Sequence, residues 1–432
     1  MGESLPAGES ARSRRAPMIN NVLYYGYDPA CRCAGLPEEI IAQARGEPIQ
    51  DGYGQLVSRA RARFRRAVDA ELTTVGSNRT HLVPLSGGLD SRAILGSLLA
   101  HRSVDPAQIH TVTFGTPGTW DYDIGREVAK SAGVTNTAVD VRPDSFDWSV
   151  AALSEFARRQ SFPIRMLEGY INSYVSSVVD SDTVLWSGFL GGTTTGQHVS
   201  QRERDGWAAA ISSFVESNAY TSDLTSPGYE PRTPLPDEPY LPQSSLPYTN
   251  QLSFAHRQQC YIRPVVVGDG PCCCPFTRPV WLRFMLNVPR EHRAHRKLFV
   301  DAMQSAFPEL FSIRTDANAG FPLSIGKTRR KLRRGRLKLT EKVASKVGVG
   351  YVHPDTNYID FARWFREGQL QGTAETLLRR FQQRDVAEWL QPDSIWASHQ
   401  AGADRSRDIK VLCSLELYLS GCEKRQSSTN SS

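Results

Sequence analysis

The chain has 432 residues, of which 40% are hydrophobic and 22% charged, and a formal net charge of +6. That length suits one large domain or two ordinary ones, and the composition excludes a fibrous or wholly disordered chain. No run approaches the roughly 18 consecutive apolar residues of a membrane-spanning helix. In chain order, residues 1–17, MGESLPAGESARSRRAP, lack the apolar centre of a secretory signal, so a cytoplasmic location is expected. Their Gly, Ser, Ala and Arg content predicts disorder, as does the tail 423–432, EKRQSSTNSS. Residues 20–50 give no firm element. Within 54–73, Leu56, Val57, Ala60, Phe64 and Val68 share one helical face. His81–Leu85 reads as a short buried strand, and Ala93, Ile94, Leu98 and Leu99 as the face of the helix after it. A second strand is expected at 109–115 (IHTVTFG), a helix with a glycine stop at 123–133, and a third strand from residue 135. This β-α-β-α-β run predicts an α/β fold, a parallel sheet with helices on both faces. Residues 146–180 read as helices, Thr183–Trp186 as another strand, and 225–247, with seven prolines, as a long ordered loop. Residues 277–312 read as helical again, which predicts a helical C-terminal part.

The chemistry concentrates where the first strand ends. In SGGLDS, Ser86–Ser91, Gly87 and Gly88 permit a tight turn and a close approach of backbone N–H groups to a ligand. The helix behind them presents the positive end of its dipole, which suits a phosphate. Asp90 is placed to hold magnesium against that phosphate. The stretch is neither of the two common nucleotide fingerprints, G-x-x-x-x-G-K-[ST] and G-x-G-x-x-G. It resembles the SGGxDS pyrophosphate loop of the ATP pyrophosphatases, which cleave ATP between the α- and β-phosphates.

Further stretches narrow the resemblance. TFGTPGTWDYDIGREVA carries Asp121 at an acidic position, WSGFLGGTTTG resembles an SGxGxDxxxG loop in part, and PFTRPVWLRFMLNVP and HRKLFVDAMQSAFPELFSIRT resemble later helical segments. The ordered set resembles the synthetase domain of class II asparagine synthetases, β-lactam synthetases and lasso-peptide cyclases. The resemblance implies a pyrophosphate-loop synthetase domain over 76–422, preceded at 18–75 by a linker remnant and helix. It implies ATP and Mg2+, and an acyl-adenylate formed from a small-molecule or peptide carboxylate and then captured by an amine or ammonia. A role in specialised biosynthesis follows as an expectation. Implied nucleotide contacts are Leu85, Ser86, Gly87, Gly88, Asp90, Ser91, Thr113, Phe114, Gly115 and Gly188. Asp90 is the implied metal ligand and, with Glu168 and Lys327, the implied catalytic set; Arg165 and His198 are expected near the site.

Two departures matter. The family usually carries an N-terminal glutaminase domain whose nucleophilic cysteine follows the initiator methionine, whereas Gly2 follows Met1 here. Glutamine is therefore not the expected nitrogen donor, and a separate ammonia source or biosynthetic partner protein is. The second metal-binding aspartate of the family falls at Gly192, and its charge-steadying lysine near Asn318, with Lys327 a nearby substitute. Two other readings follow: a degenerate partner protein that keeps the fold, and a tRNA-modifying ligase with salt-dependent tRNA affinity. The run Lys327–Thr340 holds eight basic residues and no acid. It is open to reading as a nucleic-acid patch, a solvated helix face, or a cover over the ATP phosphates, the last suiting the resemblance; neither a nucleic-acid nor a membrane partner is expected. The eight cysteines include Cys31, Cys33 and the triplet Cys272–Cys274, but no C-x-x-C pair, so reduced structural thiols are expected.

Overall fold

Short runs rich in Val, Leu, Ile and Thr form four strands, β1 (Thr80–Pro84), β2 (Ile109–Gly115), β3 (Thr135–Asp140) and β4 (Thr183–Trp186), and Cys272–Cys273 form a fifth, β5. The computed structural model describes residues 9–142, 146–177, 182–197, 199, 206–267, 272–347, 352–356 and 359–430. All strand pairs are parallel, in the order β3-β2-β1-β4-β5. The chain winds outward from β1 to β3, then returns to the other side of β1 to lay down β4. That reversal opens a crevice at the carboxyl ends of β1 and β4, where α/β sheets bind their ligands. Near the amino end of β1, His81 stands opposite both Ile109 and Val184, and its Nδ1 accepts from the Trp186 indole at 3.1 Å.

Because strand side chains alternate, the sheet has two different faces. Val83, Ile109, Val184 and Trp186 join one large core with helices Tyr53–Val75, Asp90–Leu99, Trp120–Ala132, Pro279–Leu286 and Lys297–Ala306. Leu82 and Val112 point the other way, with Phe114, Val139 and Leu185. A second core lies beyond that face, built from helices Val150–Arg158, Met166–Ser177, Gly368–Gln383 and Ser406–Asn430. The helical part thus stands across a cavity from the sheet. Among the described residues, no helix is long and apolar enough to cross a membrane.

The ends of the chain differ from the sequence expectation. Helix Glu9–Tyr25 takes in residues 9–17, because Ile19, Val22 and Leu23 anchor its second half in buried contacts. Helix Ser406–Asn430 runs through most of the polar tail, continuing an element whose earlier turns are buried at Ile409, Leu412 and Leu415. Residues 1–8 and 431–432 lie outside the described residues. Helix Glu38–Ala44 also falls where no element was expected.

One buried cation ties the crevice together. Arg92, fully buried in helix Asp90–Leu99, donates to the carbonyls of Gly87 (3.0 Å), Leu310 (3.2 Å), Ile313 (3.1 Å) and Arg314 (2.6 Å). Thr315 Oγ1 donates to the same Gly87 carbonyl at 2.7 Å. Segment 310–316 is thereby clamped to the glycine loop. Burial pulls the Arg92 pKa down to about 10, so it remains cationic at neutral pH. Arg92→Met leaves these carbonyls buried without their donor and should cost about 3–5 kcal/mol in urea unfolding. Arg92→Lys, which lacks the planar fork, should recover less than half of the loss. Wild-type stability in Arg92→Met would show that the clamp carries no weight.

Candidate active site

The crevice between β1 and β4 deepens into a cavity of about 1100 Å3. Leu85, Ser86, Gly88, Asp90 and Ser91 form its floor, and Ser187, Gly188 and Gly191 the side under β4. The turn is tight because a Cβ on Gly87 would sit 2.8 Å from Asp316 Cβ. Gly88 N–H donates to Ser86 Oγ at 3.2 Å. Ser91 Oγ is buried and has no hydrogen-bond partner among the described residues. Such an orphaned hydroxyl costs about 1–3 kcal/mol. A ligand oxygen in the cavity would satisfy it, and the adjacent helix N-terminus favours an anionic one.

Three carboxylates line the same cavity: Asp90, Asp121 and Asp316. Asp121 accepts from Gly87 N–H at 3.1 Å. Burial and, second, the Asp316 charge push its pKa up to about 6, against that hydrogen bond. Asp90 is also pushed upward, chiefly by burial, while Arg296 opposes the shift. The Arg296 guanidinium is ion-paired with Asp90 and lies 4.6 Å over the Phe299 ring. His295 (φ 57°) and Arg296 (φ 64°) both take left-handed backbone geometry to deliver that cation, a strained arrangement for two consecutive side chains. The β4 loop closes directly on Asp90: a Cβ on Gly191 would lie 2.5 Å from Asp90 Cγ, and one on Gly188 2.9 Å from Asp90 Cβ. Hard oxygen donors crowded beside a phosphate-type cradle fit magnesium, with Arg296 holding Asp90 in its place in the free protein.

The expected residues divide. Leu85, Ser86, Gly88, Asp90, Ser91, Phe114 and Gly188 line the cavity. Gly87 makes the turn but presents its carbonyl to Arg92. Thr113 faces away, its Oγ1 accepting from Asn136 at 3.1 Å, and Gly115 extends the ladder by accepting from Val141 N–H at 3.0 Å. Glu168 is buried beside the cavity but bound to Lys410 Nζ at 2.9 Å. Burial disfavours that ammonium, yet Glu168 and Tyr220 outweigh it and hold the Lys410 pKa above the usual lysine range. Arg165 lies between the rings of Tyr220 and Tyr261, at 4.0 and 4.4 Å. Lys327 is exposed at the start of helix Lys327–Val347, and no residue of that helix lines the cavity, although its Arg333 lies 4.5 Å over the Phe321 ring. Asn318 is a structural residue, its amide donating to the carbonyls of Pro322 and Ile325. Gly192 lines the cavity, and His198 lies outside the described residues. Sequence reasoning missed Arg296 and Asp316. Arg296 sits in a stretch already singled out, HRKLFVDAMQSAFPELFSIRT, and Asp316 follows it directly, but only the fold brings them to Asp90.

The raised pKa of Asp121 has a signed consequence. The folded protein binds a proton that the unfolded chain releases between about pH 4 and pH 6, so stability falls as pH rises through that window. Asp121→Asn should therefore stabilise the metal-free protein by about 1–3 kcal/mol at pH 7.5 and by nearly nothing below pH 4. Urea unfolding at both pH values checks this; an equal effect at both would remove desolvation of the carboxylate as the cause.

Residues 59–185 match the family described as Asparagine synthase. The match runs from helix Tyr53–Val75 into β4 and includes the SGGLDS loop and Asp121. No curated protein matches the chain. Residues 59–185 are thus similar to the asparagine synthetase family, a family of ligases that use ATP to form amide bonds.

Proposed function

We propose that this chain activates a substrate carboxylate with ATP, forming an acyl-adenylate and pyrophosphate, and then transfers the acyl group to an amine or ammonia. The observation that carries this reading is the SGGLDS cradle at the β1–β4 switch point, with the Ser91 hydroxyl buried and unpartnered. A carboxylate oxygen attacks the α-phosphorus, and the bond to the β-phosphate oxygen breaks. The amine nitrogen then attacks the acyl carbon, AMP leaves, and the nitrogen gives up a proton. Ser86, Gly88 and Ser91 bind the departing pyrophosphate; Leu85 and Phe114 flank the adenine. Asp90, with Asp121 and Asp316, would hold magnesium, whose charge offsets that of the phosphates. A volume of about 1100 Å3 exceeds the roughly 300–1000 Å3 of ordinary single-ligand pockets, which leaves space for nucleotide and acid together. The far wall contributes Arg159, Arg257 and Arg263, suited to an anionic substrate.

A second reading rests on one contact. Arg296 occupies Asp90, which favours a fold-keeping partner protein that binds no nucleotide. ATP–pyrophosphate exchange, run with magnesium over a panel of amino acids and peptide acids, separates the two. The ligase reading expects exchange with at least one acid, AMP rather than ADP as product, and a loss of at least about 100-fold in Asp90→Ala with the fold retained by circular dichroism. Exchange that survives Asp90→Ala would remove Asp90 from the machinery. No exchange, together with no magnesium-dependent ATP binding, would establish the partner reading.

A further inference from the structure

A second reactive cluster lies at the edge of the same cavity. Cys31, Cys33 and Cys260 bring their sulfurs within 4.8 Å of one another, although they come from distant parts of the chain. Asp28 starts the turn that makes this possible. Its carboxylate accepts from Ala30 N–H at 3.0 Å, its carbonyl from Cys31 N–H at 3.1 Å, and the Cys31 carbonyl from Ala34 N–H at 2.8 Å. These tight turns fold the C-x-C pair back on itself, with the two sulfurs 2.9 Å apart. The loop is then pressed onto Ser253–Ile262, a π-helical segment, the kind of wide helix often found at functional sites. Gly35 N–H donates to Ala255 O at 3.0 Å, and His256 Nδ1 lies 2.8 Å from Pro29 O. Cys260, on that segment, faces the pair.

Packing alone does not call for three thiols at one point. Cys272 and Cys274 are also close, 3.8 Å between sulfurs, but simply flank Cys273 where β5 ends. The first cluster is instead assembled from two elements, and its members differ in exposure: Cys31 and Cys260 are buried, while Cys33 is exposed and lines the large cavity. No disulfide joins any of them. Thiolates arranged around a point, two shielded and one open to solvent, are the donor set of a zinc site with a free coordination position.

We propose that Cys31, Cys33 and Cys260 bind one zinc ion as three thiolates, with the fourth position open to the cavity. A zinc–sulfur bond of about 2.3 Å sets tetrahedral sulfurs about 3.7 Å apart, so binding parts Cys31 and Cys33 by a side-chain rotation. Arg263, which donates to Gln259 at 3.3 Å and lines the same wall, sits where it offsets the net negative charge of a trithiolate site. The ion would fasten the loop at 28–35 to the π-helical wall and so fix the shape of the cavity on the side facing away from the glycine loop. This site does not depend on the ligase chemistry.

The test is metal analysis of the full chain, purified under reducing conditions from zinc-supplemented medium. About one zinc per chain is expected, and cobalt added to the metal-free protein should give the thiolate-to-cobalt charge-transfer absorption in the near ultraviolet. Cys33→Ser, at the exposed ligand, should stay folded by circular dichroism and weaken zinc binding at least about tenfold in competition with a chelating dye. Cys260→Ala should do the same, while Cys272→Ser should leave zinc content unchanged. Zinc well below stoichiometry with all thiols titratable, zinc retained in Cys33→Ser and Cys260→Ala, or a Cys31–Cys33 disulfide under these reducing conditions would each overturn the proposal.

Discussion

Everything at the cavity floor depends on the Arg92 guanidinium. The glycine loop after β1 and the segment 310–316 belong to distant parts of the chain, and both expose carbonyls that a tight turn cannot satisfy internally. Arg92 reaches four of those carbonyls from the first turn of the helix that the loop itself begins. Charged donors make the strongest hydrogen bonds in a low-dielectric interior, and only a planar fork serves so many acceptors at once. The result is geometric: Asp316 N–H lies 3.3 Å from the Gly87 carbonyl, and the Asp316 side chain enters the cavity.

That assembly places like charges together. Asp90, Asp121 and Asp316 share one partly desolvated space, and the Asp316 charge raises the cost of ionising Asp90 and Asp121. The free protein relieves part of this with Arg296, at the expense of two left-handed residues in succession. The cation at Asp90 is delivered by two left-handed residues, and the buried hydroxyl of Ser91 has no hydrogen-bond partner among the described residues. A ligand bringing phosphate oxygens with a divalent cation answers both needs together, which is the physical case for reading the cavity as a nucleotide site.

The strands β1, β2 and β4 were legible because each is short, largely apolar and closed by a turn signal. Ile109–Gly115 and Thr183–Trp186 have the expected bounds, and β1 is shifted by one residue. Asp90, Ser91, Ser86 and Gly88 were legible for the same local reason: one continuous stretch makes strand, loop and helix N-terminus. The two-residue β5 is too short to leave a periodic trace. Arg296 and Asp316 were not legible, since their role comes from chain crossings rather than from neighbours in sequence. Lys327 illustrates the converse case. It is near Asp316 in sequence, yet Gly326 and the polar helix after it carry it into solvent. Glu168 was expected at the site, but nothing local announced Lys410, whose buried ammonium takes up its carboxylate.

The central claim is that the glycine loop, Asp90 and Ser91 form a phosphate cradle whose cation position Arg296 occupies in the free protein. A crystal structure of the chain soaked or grown with magnesium and a non-hydrolysable ATP analogue tests this directly. The account predicts the β- and γ-phosphates against Ser86–Ser91, a ligand oxygen on Ser91 Oγ, and Asp90 released from Arg296 to a metal ion. Nucleotide bound elsewhere, or bound in the cavity with the Asp90–Arg296 pair intact and Ser91 still unpartnered, would contradict it.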